Sequence, residues 1–287
     1  MPRVAYVNGR YTRHAEAAVH IEDRGYQFAD GVYEVFAVYE GRLIDEGPHL
    51  DRLARSLGEL RIPWPMEREA LRVVIGETVR RNRLSFGTIY LQVTRGVARR
   101  LHAFPHHPAP ALVIAAQRMN RPRREDFETG VTVITIPDNR WDRCDIKSVA
   151  LLANVLGKQR AIDAGAYEAW YVDGAGQITE GTSSNAWIVT KAGAIVTHPL
   201  GPEILGGVTR QAIIAEARNL QIEVRETPFT KADIAAAAEA FLTSSSAFVK
   251  PVISVDGVAV GAGRPGPVSR RLHARYLETL ETGGETA

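Results

Sequence analysis

The sequence predicts a protein of two domains in the mixed α+β and α/β class. Three observations carry that expectation. The chain has 287 residues, enough for two ordinary domains with separate cores. Its first part strings together hairpins, two helices and further strands, whereas its second part alternates helices with strands. Between the two, Arg118-Met119-Asn120-Arg121-Pro122-Arg123-Arg124 loses all hydrophobic periodicity and carries a proline, as an interdomain linker does. The boundaries follow as 1–117 for a small α+β domain, 118–124 for the linker and 125–287 for a larger domain.

Each element has its own signal. Residues 3–7 alternate into Asn8-Gly9 and resume at Tyr11, the pattern of a tight hairpin. Val32–Tyr39 is β-branched and aromatic, turns at Glu40-Gly41-Arg42 and returns through Leu43-Ile44. After Pro48, Leu50, Leu53 and Leu57 fall at helical intervals, and Met66–Arg81 is a second amphipathic helix, set off by Pro63 and Pro65. Gly87–Thr94 and Ala111–Ala116 read as strands. Past the linker, a strand at 131–136 runs into the turn Pro137-Asp138, and Val149–Leu156 reads as a helix, so Lys147 stands at a strand-to-helix junction. A strand at Tyr167–Val172, a hairpin through Asp173-Gly174-Ala175-Gly176 and strands at 186–190 and 194–197 follow. Then come a helix at 208–219, a strand at 222–225, a helix at 230–238, a strand at 240–243 and a basic amphipathic helix from Val268. A polar, frayed tail is expected over Glu281–Ala287.

Composition removes several classes. Apolar residues make up 45% of the chain and charged residues 24%, the balance of a water-soluble globular protein. A formal charge of +2 without a basic block argues against a nucleic-acid partner. No apolar run approaches a membrane span and the start shows no leader-like segment, while Cys144 is the only cysteine, so a reducing cytoplasm is expected. His106-His107 has no carboxylate or cysteine at ligand spacing, and no metal site is expected.

Four places could carry chemistry. Lys147, in Cys144-Asp145-Ile146-Lys147-Ser148, sits among small and apolar residues, where a lysine shielded from water can act as an amine nucleophile and form a Schiff base. On local pattern alone it also reads as a solvated lysine. Glu180 precedes Gly181-Thr182-Ser183-Ser184-Asn185; a carboxylate held there could keep a heteroaromatic ring nitrogen protonated, as pyridoxal phosphate requires, or the segment could be a hydroxyl-stabilised turn. Gly206-Gly207 leads into a helix whose first N–H groups, at Val208 and Thr209, suit a phosphate. Thr243-Ser244-Ser245-Ser246 and Arg52 offer further donors for the same charge, although glycines, serines and a helix arginine are also ordinary loop and surface chemistry. Finally, Arg100 and His102 lie two apart in the loop after the strand ending at Thr94, able to face one carboxylate if that stretch is extended, or to be solvated loop residues.

Taken in order, these segments resemble the fold-type IV pyridoxal-phosphate enzymes, and within them the bacterial D-amino acid aminotransferases. The resemblance runs through Glu22-Asp23-Arg24-Gly25-Tyr26-Gln27-Phe28-Ala29-Asp30-Gly31-Val32-Tyr33-Glu34-Val35, His49-Leu50-Asp51-Arg52-Leu53, Tyr90-Leu91-Gln92-Val93-Thr94-Arg95-Gly96, Arg143-Cys144-Asp145-Ile146-Lys147-Ser148, Thr179-Glu180-Gly181 with Ser183-Ser184-Asn185, and Gly207-Val208-Thr209-Arg210. It implies a small α+β domain and a larger pseudo-barrel domain with pyridoxal 5′-phosphate between them. It implies that Lys147 forms the Schiff base and moves the proton between substrate Cα and cofactor C4′, that Glu180 pairs with the ring nitrogen, and that Leu205 supports the ring. Arg52, the N–H groups of Val208 and Thr209, and a hydroxyl near Ser245 would hold the phosphate. Tyr33, Arg100 and His102 resemble a trap for the substrate α-carboxylate, Arg100 and His102 coming from the neighbouring subunit of a homodimer. The activity implied is transamination between D-amino acids and 2-oxo acids, of the D-alanine and 2-oxoglutarate type. Branched-chain L-amino acid aminotransferases are similar too, but carry a tyrosine where this chain has Leu152; an (R)-amine transaminase and an aminodeoxychorismate-lyase-like enzyme share the fold. Gly206 and Phe248 depart from the pattern and bear on side-chain specificity.

Overall fold

The computed structural model describes residues 3–121 and 124–282. It divides the chain into two compact units, Met1–Arg121 with Ile146–Ala150, and Pro122–Asp145 with Leu151–Ala287. The break after Arg121 falls inside the 118–124 stretch, of which residues 122 and 123 lie outside the described residues, as does the tail beyond 282. Arg118 still belongs to a strand and Arg124 already to a helix. Ile146–Ala150, placed by sequence order in the larger domain, instead packs with the first unit.

In that first unit, Val4–Val7 (β1) and Arg10–Arg13 (β2) pair antiparallel about Asn8 and Gly9, whose φ of 45° and 91° is the left-handed turn that these two residue types tolerate. Arg24–Phe28 forms a short helix (α1). Gly31–Tyr39 (β3) and Arg42–Leu43 (β4) make the second hairpin, followed by Glu46–Glu59 (α2), Arg68–Asn82 (α3), Phe86–Thr94 (β5) and Ala111–Arg118 (β6). The six strands run β2-β1-β6-β5-β3-β4, with every described pairing antiparallel. Leu50, Leu53 and Leu57 of α2 and Leu71, Ile75 and Val79 of α3 close over Val32, Phe36, Ile89 and Leu91 of the sheet, and Ile146 joins the same core. Each such side chain, fully buried, contributes roughly 1.5–3 kcal/mol.

The second unit holds Arg124–Thr129 (α4), Val131–Pro137 (β7), Leu152–Asp163 (α5), Glu168–Val172 (β8), Ile178–Gly181 (β9), Asn185–Val189 (β10), Ile195–Thr197 (β11), Val208–Asn219 (α6), Val224–Glu226 (β12), Lys231–Ala236 (α7), Glu239–Ser244 (β13), Phe248–Val255 (β14), Val258–Ala259 (β15) and Pro267–Thr282 (α8). Its sheet follows β12-β11-β10-β13-β14-β7-β8-β9, with β15 on β14. β9, at one end of that order, also lies against β10, so the sheet curls into a half-barrel. β10 and β11 are buried throughout, which is why they read as unbroken apolar runs.

Several elements depart from the sequence reading: α1, α4 and β15 are not in it, and two further departures have identifiable physical reasons. α5 starts at Leu152, three residues later than expected, because Val149 is drawn into extended pairing, its N–H donating to the Gly31 carbonyl (3.0 Å). β14 is absent from the sequence reading: Pro251 interrupts its pattern, and a proline normally argues against a central strand. Pro251 stands opposite Phe241 of β13, one residue before the parallel pairing with β7 opens at Val252.

Candidate active site

In the first unit the local alternation of β3 decides which side chains do what. Val32, Glu34 and Phe36 point into the core, and Tyr33 and Val35 to the other face. Glu34 is fully buried at 0% exposure, a position that a carboxylate occupies only when paired. It accepts from Arg52 Nε (2.8 Å) and Nη2 (2.7 Å), and its Oε2 lies 2.7 Å from His49 Nδ1. His49 and Arg52, three apart on α2, share the face above it. Burial opposes the charge on Glu34, but the Arg52 guanidinium and His49 outweigh it and hold the carboxyl well below the usual range; burial keeps His49 itself below the ordinary imidazole value. Arg52 is thus clamped at one edge of its planar fork.

β4 covers only Val38 and Tyr39 on its side of β3, and residues 147–149 fill part of the edge left open. The Tyr33 N–H donates to the Lys147 carbonyl (3.0 Å), Val32 bridges Ser148, and the Lys147 N–H donates to Ser56 Oγ (3.3 Å), one helical turn after Arg52. The backbone of Lys147 is therefore fixed from both sides. Its Nζ lies 4.3 Å from the Tyr33 ring centroid and, among the described residues, has no hydrogen-bond or ion-pair partner. Tyr33 stacks in turn on Tyr90 at 5.8 Å.

In the second unit Glu180 ends β9, where Gly181 and Ser184 close a tight turn through the Gly181 N–H and the Ser184 carbonyl (2.6 Å). Its Oε1 accepts from Arg140 Nη1 and its Oε2 from the Leu205 N–H (3.0 Å) and Asn185 Nδ2 (3.2 Å). Asn185 also donates to the Leu205 carbonyl (3.0 Å), and its Oδ1 would lie 2.1 Å from any Cβ at residue 207, so only glycine fits there. Gly207 precedes α6, whose N-terminus has no side-chain cap, leaving the first N–H groups at Val208 and Thr209 without the usual partner. Thr243, opposite Asn185 in the sheet, leads into the turn that carries Ser245. Glu180, Leu205, Val208 and Thr209 are thus linked through Asn185, with Ser245 two residues beyond its sheet neighbour.

Arg140 and Asp138 are the site residues that sequence reasoning missed. Arg140 donates to both oxygens of Asp138 (2.9 and 2.7 Å), to the Glu203 carbonyl (2.9 Å) and to Thr179 Oγ1 (3.2 Å), and its guanidinium lies 4.3 Å from the Tyr171 ring centroid. Burial disfavours the Arg140 charge, but Asp138 and Glu180 more than restore it; in return Arg140 overcomes the burial of Asp138 and keeps it below the usual carboxylate range. Nothing in local spacing links residues 138, 140 and 180, which is why no sequence signal announced them. Arg100 and His102 lie on an exposed loop and meet neither Tyr33 nor Lys147 among the described contacts; they flank the Phe28 ring, at 5.1 and 5.5 Å. Among the described residues no group of three or more His, Cys, Asp or Glu could hold a metal ion.

Residues 31–255 match the family described as amino-transferase class IV. The D-alanine aminotransferase of Listeria monocytogenes serotype 4b is 41% identical over 276 residues, 96% of this chain and 95% of that protein. The D-alanine aminotransferase of Bacillus licheniformis is 42% identical over 273 residues, 95% of each. Among solved structures, the branched-chain amino acid aminotransferase of Escherichia coli superposes with a TM-score of 0.91 at 26% identity, covering 99% of this chain and 97% of that one. The branched-chain amino acid aminotransferase of T.th., solved with pyridoxamine 5′-phosphate, gives 0.89 at 28% identity, with 98% and 94% covered.

Proposed function

The chain belongs to the class IV aminotransferases, and on that premise we propose that it moves the amino group of D-amino acids, D-alanine foremost, to 2-oxo acids such as 2-oxoglutarate. The observation that carries this reading is the identity of about 40% with D-alanine aminotransferases from end to end of both chains. The branched-chain alternative fits less well: those enzymes match the fold at 26–28% identity.

Pyridoxal 5′-phosphate, when bound, supplies the carbonyl that takes the amino group and a ring that accepts an electron pair from the substrate. The side chains suit it. Lys147, fixed through its backbone and with no described partner on Nζ, is the nucleophile and then moves a proton at the substrate Cα. Glu180, immobilised by three donors, keeps a ring nitrogen protonated. Of the groups that would hold the phosphate, the second unit offers the first N–H groups of α6 and the Ser245 hydroxyl and the first unit the Arg52 guanidinium, and Leu205 would support the ring. Tyr33, with Arg100 and His102 of a second subunit, receives the substrate carboxylate.

That last role requires a homodimer. Ile21, Tyr26 and Leu101 in the first unit and, separately, Leu152, Val155 and Leu156 along α5 in the second are 53–76% exposed, apolar groups that a second copy would cover. No helix among the described residues is long and apolar enough to cross a membrane, and a cytoplasmic enzyme is the reading consistent with a single unpaired cysteine.

The test is a half-reaction. Holoenzyme mixed with D-alanine should convert to the pyridoxamine form, read from its absorbance, and holoenzyme mixed with L-leucine should not. Conversion by L-leucine alone would transfer the protein to the branched-chain group.

A further inference from the structure

Arg24 takes no part in the site described above, yet its guanidinium is engaged by one carboxylate and three backbone carbonyls. It is 3% exposed at the start of α1, whose first turn is held by Asp23, accepting from the Gly25 N–H (2.8 Å) and from Thr94 Oγ1 (2.9 Å). Arg24 Nε donates to Asp30 Oδ2 (2.7 Å), and Asp30 is gripped on its other side by Arg95 through Nε and Nη2 (2.8 and 2.9 Å). The outer edge of the Arg24 fork then reaches three successive carbonyls of one loop, Leu101 (2.6 Å), His102 (3.4 Å) and Ala103 (3.4 Å). The Phe28 ring, one turn further along α1, lies 4.9 Å from the Arg24 guanidinium carbon and is the same ring that Arg100 and His102 flank.

An exposed loop would ordinarily sample many conformations, and holding it in one costs backbone entropy. Here a planar fork donates to Asp30 and to three consecutive carbonyls at once, four contacts, one more than the three N–H donors of a lysine can serve. Asp30 fixes the fork's direction from inside, and Phe28 gives the two loop side chains one surface to rest on. The loop is thereby ordered before any substrate arrives.

We propose that Arg24 is a positioning residue for the substrate carboxylate. It sets the aim of Arg100 and His102 and so governs the KM of carboxylate substrates, leaving the chemical step to other groups. This rests on the assignment of Arg100 and His102 to the carboxylate, and the test keeps the two apart. Steady-state kinetics with D-alanine and 2-oxoglutarate are measured on wild-type holoenzyme, R24M, R24K, R100A/H102A and R24M/R100A/H102A. R24M should raise both KM values by about 10- to 100-fold with kcat within about threefold, the signature of lost uniform binding. R24K, keeping its charge beside Asp30 but unable to span three carbonyls, should fall between. On the R100A/H102A background, R24M should add less than about twofold, because the loop it aims no longer carries the trap. Equal R24M effects on the two backgrounds, or a loss in kcat with KM unchanged, would overturn the inference while leaving the trap intact. A normal KM in R100A/H102A would instead remove the trap, and the inference with it. Should R24M fail to fold, R24K carries the same comparison.

Discussion

The two units solve opposite electrostatic problems. The first presents cations and hides an anion beneath one of them: Glu34 lies at the bottom of the core under Arg52, while Lys147 is fixed through its backbone alone. The second presents an anion and hides a cation behind it: Arg140 holds Glu180 from one side and is itself held by Asp138 from the other. The groups differ in freedom as well as sign. The amine has no described hydrogen-bonding partner, whereas the carboxylate has three. A nucleophile must move and exchange protons, so its amine has no hydrogen-bonding partner among the described residues; a group that acts by its field must not move, so it is held by three donors.

The sharpest way to break this contrast is at the amine. Lys147→Ala should lower multiple-turnover transamination by at least about 10⁴-fold, since no other described amine stands in its place; a rate near wild type would remove Lys147 from the chemistry. Glu180→Gln keeps the shape and deletes the charge, and kcat should fall by about 10²- to 10³-fold, the scale of losing one preorganised electrostatic partner. If Glu180→Gln retained full kcat, the second unit's charge would be structural only.

The hidden charges can be compared directly by chemical denaturation. Arg140→Met strands two carboxylates and should cost about 3–5 kcal/mol. Glu34→Gln leaves an amide that still accepts from Arg52, and should cost about 1–3 kcal/mol. Equal costs would mean that the two anchors are interchangeable.

A pH series resolves both units further. His49 has its folded pKa pushed below the ordinary 6.5 by burial, so the unfolded chain binds its proton first and stability falls as pH drops below about 6.5. His273, likewise lowered by burial, adds to the same decline. Asp30 and Asp138, held below the ordinary 3.8 by their arginines despite burial, contribute stability that is full above about pH 4 and is lost below it. His49→Gln should flatten the upper part of the profile and leave the lower part unchanged. The smallest effect concerns Cys144, whose thiol burial pushes up to about 12. At pH 8 it should alkylate at least about tenfold more slowly than a free cysteine, as judged by mass spectrometry; rapid labelling would mean looser packing beside Arg140.

Much of this could be read in advance, and the rest is missing for identifiable reasons. Asn8-Gly9, the Leu50-Leu53-Leu57 stripe and the helix from Val208 are local patterns, and the chain obeys them. Lys147, Glu180, Arg52 and Gly207 stand out in the sequence because each sits in an ordered motif. Arg140 and Asp138 escaped because their partner lies forty residues away across the sheet, and Glu34 escaped its anchoring role because the strand alternation that buries it becomes visible only when α2 is placed above. Pro251 hid a whole strand, and Val149 delayed a helix by pairing with β3.

The loan of Ile146–Ala150 to the first unit has a consequence for how the molecule is made. During synthesis, the first 121 residues leave the ribosome with their sheet complete but with Ile146 missing from the core and part of the β3 edge unpaired. They must wait for the start of the following unit before they can close. The same five residues carry Lys147, so the nascent chain gains that amine in the act of finishing its first core, and a gene cut after residue 121 would lack both.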